Sequence, residues 1–344
     1  MLDRKLGWAV VGLGIGLAHA DAALAYDRAR LTAVCDIDEN KLASFHSEHP
    51  DVKTYRLFDD LLADPEVDGL SICLPSGMHA EYTVRALKAG KHVLVEKPID
   101  ITLEAAEKIE QARLKTGKKV GVVFQNRCNA VMKPIREAVE SGKLGKIYLG
   151  TFAVKWYRKQ SYYDGWHGTW DMDGGGSLIN QSIHTVDLMQ WLMGDVESVH
   201  STMGIYGHDI ETEDMTASVI RFKSGAAATF VSTTCAYPGV CTDIQLYGTE
   251  GSVEADADCL KRWSFRDDED GEEEAEMLET YASNLATMKN DPSLIVGHDT
   301  VVRDMIDAVL DGHDPMVLPR EAMKSLKIVR AVYESAQTGK TVTF

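Results

Sequence analysis

The sequence predicts an α/β protein in two domains: a doubly wound parallel sheet over residues 1–125, then an α+β domain with an open, mostly antiparallel sheet over 126–344. Three observations predict it. Short apolar runs alternate with helix-length segments as far as Phe124, the pattern of repeated βαβ units with helices on both faces of the sheet. The first run ends in a glycine-rich turn that leads straight into an Ala-rich helix. Beyond Arg127 the runs lengthen and are joined by turns such as 223–225 and 248–251, as antiparallel strands require.

The series opens at 8–19, Trp-Ala-Val-Val-Gly-Leu-Gly-Ile-Gly-Leu-Ala-His. Residues 8–11 read as a buried strand, Gly12, Gly14, Ile15 and Gly16 as the turn, and 18–25 as the helix. Such a turn lets backbone N–H groups approach a pyrophosphate, whose charge the helix N-terminus favours. The dinucleotide fingerprint is G-x-G-x-x-G; here Leu17 holds the third glycine position and Gly16 stands one residue early. Two other readings are open for this stretch. One is an ordinary glycine-rich turn; the other is a secretory leader made of Arg4, Lys5, the apolar run from Leu6 and Ala18-His-Ala20.

The second strand, 31–35, ends at Asp36, which lies 22 residues beyond Gly14. An acidic side chain at that place accepts hydrogen bonds from the adenosine ribose and repels a 2′-phosphate. Ile37-Asp38 follows with no immediate base, so NAD is expected rather than NADP. Asp38 is expected to cap the helix near Lys41, and Asp36 to serve the ribose.

The alternation then continues. A helix around 60–63 precedes a strand at 69–73, and the turn 74–79, with Pro75 and His79, precedes a helix at 80–89. Residues 92–95 form the next strand, Thr102 caps a helix to Thr116, and 119–124 is the last strand of the set. Ligands on such sheets gather at the carboxyl ends of strands. That marks the glycine turn, Asp36, Ile37, Pro75, His79, Glu96, Lys97, Pro98, Gln125 and Arg127.

Composition narrows the function. A net charge of −17 argues against nucleic acid and anionic membranes as partners. No apolar run approaches the roughly 20 residues that span a bilayer. The six cysteines are scattered without metal spacing, which suits reduced thiols in a cytoplasm, and no metal is expected. Much of the negative charge lies in 267–276, which reads as a solvated loop or hairpin tip.

In the second domain, long strands are expected at 146–158, 196–206, 215–222, 226–234 and 242–247, with helices at 134–141, 299–310 and 320–336. The stretch richest in chemistry is 170–187, Trp-Asp-Met-Asp-Gly-Gly-Gly-Ser-Leu-Ile-Asn-Gln-Ser-Ile-His-Thr-Val-Asp. Gly174–Gly176 suggest a flexible approach, with Ser177 capping the helix that follows. On that helix Asn180 and His184 are four apart and share a face, with Asp187 close to it.

The glycine turn, Asp36, the Pro75…His79 turn and above all Glu96-Lys97-Pro98 after the strand 92–95 resemble the glucose-fructose oxidoreductase/inositol dehydrogenase (Gfo/Idh/MocA) family. The pattern G-G-G-x-L-x-[D/N]-x-x-x-H-x-x-D at 174–187 resembles the same family's second hallmark. The resemblance covers nearly the whole chain and implies a Rossmann NAD domain followed by a substrate and oligomerisation domain. It places Lys97 beside the nicotinamide and the reacting hydroxyl, with the bond before Pro98 often cis.

Oxidation of a secondary alcohol needs a base, and His184 suits that role at neutral pH. Lys97 would then hydrogen-bond the same oxygen, and Asn180 would orient the substrate or the imidazole. Inositol dehydrogenases of the family resemble this chain but carry Asp where it has Asn180, which counts against a simple inositol assignment. The segment 166–170, with Asn180-Gln-Ser-Ile-His184, is most similar to a branch that includes UDP-N-acetylglucosaminuronate 3-dehydrogenases, although that branch often has Arg at His167. Arg127, Tyr157, Arg158, Tyr162, Tyr163 and Trp166 are candidates to face a sugar ring or base; aromatic packing in the sheet is the equal alternative.

The expectation is therefore a cytoplasmic NAD-dependent dehydrogenase or reductase acting on a small-molecule carbohydrate, a nucleotide sugar among the candidates. It is expected to pair as a homodimer or homotetramer through the second sheet. An inositol or free-sugar dehydrogenase, an NAD-dependent glycosidase and a non-catalytic NAD-binding regulator remain as alternatives.

Overall fold

The computed structural model describes residues 5–256, 259–281 and 297–344. These fall into two units, 5–125 with 297–323 and 126–281 with 324–344.

In the first unit six strands form one parallel sheet: β1 (Leu6–Val11), β2 (Ala29–Cys35), β3 (Lys53–Tyr55), β4 (Gly69–Ile72), β5 (His92–Val95) and β6 (Val120–Val122). The order is β3-β2-β1-β4-β5-β6, so the chain reverses direction across the sheet between β1 and β4. All of β1 is buried, as a central parallel strand covered on both faces must be. Its Trp8 ring lies against Gly69, where a Cβ would come within 2.5 Å of the indole. The stretch that reads as a possible leader is thus β1 and the helix after it, at the middle of the sheet; Arg4 lies outside the described residues.

Five helices cover this sheet: α1 (Gly16–Leu24), α2 (Glu39–Glu48), α3 (Phe58–Ala63), α4 (His79–Lys88) and α5 (Leu103–Thr116). Asp38 caps α2 through the N–H of Asn40, and Thr102 caps α5 through that of Ala105. Gly117 ends α5 in the left-handed region at φ 68°. The sequence groups 126–344 as one domain, yet the helix His298–Asp311 packs on α1 in this first unit. Tyr26 donates to Asp307 at 2.7 Å and Arg28 pairs with Asp311 at 2.6 Å, contacts that helical periodicity does not encode.

The second unit is built on eight strands: β7 (Ile147–Lys155), β8 (Val196–Gly204), β9 (Met215–Phe222), β10 (Ala227–Thr233), β11 (Cys241–Gly248), β12 (Gly251–Asp256), β13 (Cys259–Phe265) and β14 (Val342–Thr343). Their order is β13-β12-β11-β7-β10-β9-β8-β14. Every pair is antiparallel except β7 with β10, which run parallel with Phe152 opposite Phe230. One face is buried: Thr216, Ser218, Ile220 and Phe222 of β9 alternate with more exposed neighbours. α6 (Met132–Glu140) precedes β7, and α7 (Ile183–Met193) packs on β7.

The acidic run is a loop only in its first half, 267–271. Glu272–Thr280 is a helix, and the Asp268 carboxylate accepts from the N–H groups of Glu273 and Glu274. Acidic residues in a first turn are favoured by the helix dipole, so local charge clustering here starts a helix. Glu273 also pairs with Lys143 and takes the Trp263 indole N–H.

Candidate active site

At the carboxyl ends of the first unit's strands, the three glycines of the turn have three different physical reasons. Gly12 has φ +92°, and a Cβ there would lie 2.3 Å from the carbonyl oxygen of Cys73. A Cβ on Gly16 would come within 2.8 Å of Val10, so this glycine lets α1 sit close on β1. Gly14 is different: a Cβ there would meet nothing within 4 Å. No described residue crowds that position, so open space lies beside the backbone of the turn there. Gly16 thus takes the helix-packing role one residue early.

Asp36 ends β2 with both carboxylate oxygens engaged. Oδ2 accepts from the Leu13 N–H at 2.7 Å and Oδ1 from the Asp38 N–H at 2.9 Å, tying the glycine turn to the next strand. Lys41, one turn into α2, places its ammonium 3.8 Å from Asp36, a neighbour that the linear sequence did not bring forward. Ile37 beside it is exposed.

Pro75 leads into the short turn Ser76–Met78 and α4. His79 is buried and bridges two loops: Nδ1 lies 2.6 Å from the Pro98 carbonyl and Nε2 2.8 Å from that of Leu74. Burial pushes its pKa down. Its place is that of a strut behind the site. Lys97-Pro98 is a cis peptide bond.

Glu96 is buried as well. Its Oε1 is 3.0 Å from His19 Nε2 and 3.3 Å from His298 Nε2, and its Oε2 accepts the Lys97 N–H at 3.1 Å. Although burial opposes it, the two histidines hold the Glu96 carboxyl well below the usual carboxylate range. Gln125 begins the turn after β6, and its side-chain oxygen is buried with no hydrogen-bond partner among the described residues.

In the second unit Ser177–Gln181 form a wide π-type turn that runs into α7. Ser177 does not cap it; its hydroxyl bonds Ser232 and Glu213. The cap is Glu213, which accepts from the N–H groups of Gly176 at 2.6 Å and Leu178 at 2.8 Å. Tyr333 donates to the same carboxylate at 3.1 Å while accepting from Ile179 N–H. Burial pushes the Glu213 carboxyl up to about 7, against the pull of the backbone N–H groups. Two of the three glycines are correspondingly tight, not flexible: a Cβ on Gly175 would lie 2.1 Å from the Tyr333 hydroxyl, and one on Gly176 1.9 Å from the Glu213 carbonyl.

Asn180 and His184 are both buried on this segment. The Asn180 amide donates to Asp173, whose other oxygen takes the Gly168 N–H. A carboxylate therefore stands beside the position where the sequence had only an amide. Tyr162 donates to Asn180 Oδ1 at 3.2 Å, and Gln181 bonds both of them and Arg158.

Arg127 places two guanidinium nitrogens on Asp187 at 2.7 and 2.8 Å, and Ser325 adds a third hydrogen bond to that carboxylate. Tyr163 is buried with its hydroxyl on Thr234, as packing in the sheet demands. Tyr157 meets Tyr237 edge-on, and Trp166 stacks on His167 with centroids 3.9 Å apart. Asp173, Gln181, Glu213, His19 and His298 did not stand out in the sequence. Only the Glu213-Asp214 pair ahead of β9 offered a local signal.

With this geometry in place, the chain matches two family models. Residues 6–124 match the oxidoreductase family's NAD-binding Rossmann fold, and residues 136–344 match its C-terminal alpha/beta domain, both of Gfo/Idh/MocA. The chain belongs to the Gfo/Idh/MocA family. It is an NAD-binding oxidoreductase with a Rossmann sheet and a mixed, mostly antiparallel second sheet.

This oxidoreductase is similar to the WlbA dehydrogenase of Bordetella pertussis, solved in complex with NADH and UDP-GlcNAcA. Identity is 30%, coverage is 100% of this chain and 99% of that one, and the TM-score is 0.91. The corresponding complex from Chromobacterium violaceum gives 31% identity, coverage of 100% and 97%, and a TM-score of 0.89. The myo-inositol 2-dehydrogenase of Thermotoga maritima is 28% identical over 72% of this chain and 74% of its own length. Among the described residues no helix is long and apolar enough to cross a membrane.

Proposed function

We propose that the enzyme transfers hydride between NAD and a secondary hydroxyl of a sugar, and that the sugar is carried on a nucleotide. The observation that supports this reading is the full-length likeness to a dehydrogenase held with NADH and a UDP-sugar acid. Bound NAD supplies the hydride acceptor, and the chain's own residues handle the proton and the oxygen. His184 takes the hydroxyl proton as oxidation proceeds. Lys97 donates a hydrogen bond to that oxygen and stabilises the charge it gains. Asn180, held by Asp173 and Tyr162, orients the substrate or the imidazole.

The test is a screen of UDP-hexuronates, free sugars and inositols with NAD, read as NADH absorbance. Turnover is expected on a UDP-hexuronate. Turnover confined to inositols would replace the nucleotide sugar with the substrate class of the Thermotoga relative. His184→Ala and Lys97→Ala should each lower kcat by about 100-fold or more, and near-normal turnover in either would remove that residue from the chemistry.

A further inference from the structure

Lys97 carries the oxygen-side chemistry proposed above, and its backbone is held from both sides by buried side chains. The Lys97 N–H is taken by Glu96 Oε2 at 3.1 Å, and the next carbonyl, that of Pro98, is met by His79 Nδ1 at 2.6 Å. Glu96 is in turn the end of a hydrogen-bonded chain. An indole N–H only donates, so Ser71 Oγ accepts from Trp8 Nε1 at 3.0 Å. Ser71 Oγ also lies 3.0 Å from His19 Nδ1. The Glu96 carboxylate, held in its ionised form, only accepts, so His19 donates to its Oε1 from Nε2. His298 Nε2 reaches the same oxygen from the helix His298–Asp311. Trp8, His19, Ser71, Glu96 and His298 are all buried, so water does not compete for these bonds.

We propose that Glu96 is a positioning residue for Lys97, fixed by His19 and His298 so that the backbone of residue 97 presents its side chain at one place. The proposal rests on the reading of Lys97 as the partner of the reacting oxygen. The Glu96 carboxylate is engaged by the two imidazoles and the Lys97 N–H.

His19, Glu96 and His298 also have the residue types of a metal triad, with ligand atoms within 4.8 Å of one another. The two uses are mutually exclusive at His19 Nε2. Metal binding through His19 Nε2 would displace the proton this nitrogen gives to Glu96 and move it to Nδ1, where the second lone pair of Ser71 Oγ accepts it, so a zinc measurement decides between the two uses.

The experiment is a double-mutant cycle in the full-length enzyme, with kcat, KM for NAD and melting temperature measured for each variant. Glu96→Gln should lower kcat by about 100-fold while the KM for NAD stays within about threefold, the signature of a displaced catalytic group. In the Lys97→Ala background the same change should cost less than about twofold, because its effect passes through the lysine already removed.

His298→Gln, which keeps an amide donor, should lower kcat by less than about tenfold and serves if Glu96→Gln does not fold. Its effect too should vanish in the Lys97→Ala background. Multiplying effects of residues 96 and 97 would overturn the proposal while leaving the role of Lys97 intact. A Lys97→Ala enzyme of normal turnover would overturn both. Stoichiometric zinc in the purified enzyme, lost in Glu96→Gln, would overturn it in favour of a metal site.

Discussion

Two glycine-rich segments lead into helices in this protein, and they are glycine-rich for opposite reasons. In Gly12–Gly16 the middle glycine faces open space, while its neighbours fit against the Cys73 carbonyl and Val10. In Gly174–Gly176 the second and third positions are filled to contact by Tyr333 and Glu213. The first segment leaves room for a ligand, and the second has already given its room to protein. Counting glycines therefore does not separate a cradle from a tightly packed joint. What separates them is what a Cβ would meet.

The strongest way to break the comparison is Gly176→Ala. A Cβ 1.9 Å from the Glu213 backbone forces the chain to move, so a loss of about 3 kcal/mol is expected in urea titration. Unchanged stability would mean that the second segment is as open as Gly14.

The next effect concerns the carboxylate that closes the second segment. Glu213, at about 7 in the folded chain, lies above its ordinary 4.5, so the folded chain keeps a proton that the unfolded chain releases. The stability from this group is full below about 4.5 and is lost as pH rises to about 7. Melting temperatures should fall across that window. In Glu213→Gln, which cannot ionise, this component of the slope should disappear; the same slope in both proteins would assign it to other groups.

The smallest expected change in stability is that of Gly14→Ala, under about 1 kcal/mol, because nothing lies near the added methyl. Its Kd for NADH should nonetheless rise about tenfold or more. A variant that binds NADH normally would show that the open space at Gly14 is not used by the cofactor.

Much of the first unit was legible because its signals are local. The glycine turn, Asp36 at the end of β2, and the caps at Asp38 and Thr102 each lie within a few residues of what they act on. The strands β12, β13 and β14 were missed, because short, partly exposed strands carry weak alternation beside an acidic segment. The supports of the candidate site were hidden for a different reason. Asp173 with Asn180 spans seven residues, but Glu213 reaches Gly176 across 37 and His19 reaches Glu96 across 77. No periodicity or spacing pattern encodes such pairs. The sequence thus shows the residues proposed to do chemistry better than those that hold them.

The return of 297–323 to the first unit has a consequence for how the chain is made. Synthesis runs from the N-terminus, so the nucleotide-binding sheet emerges early but without His298 for Glu96 and without Val317, whose carbonyl takes the Val122 N–H. Strands β7 to β13 of the second unit must leave the ribosome before those partners arrive. The first unit to appear is finished only after most of the second has been made, and a nascent chain stopped before residue 297 would carry the glycine turn on a sheet without the helix His298–Asp311 that packs on α1.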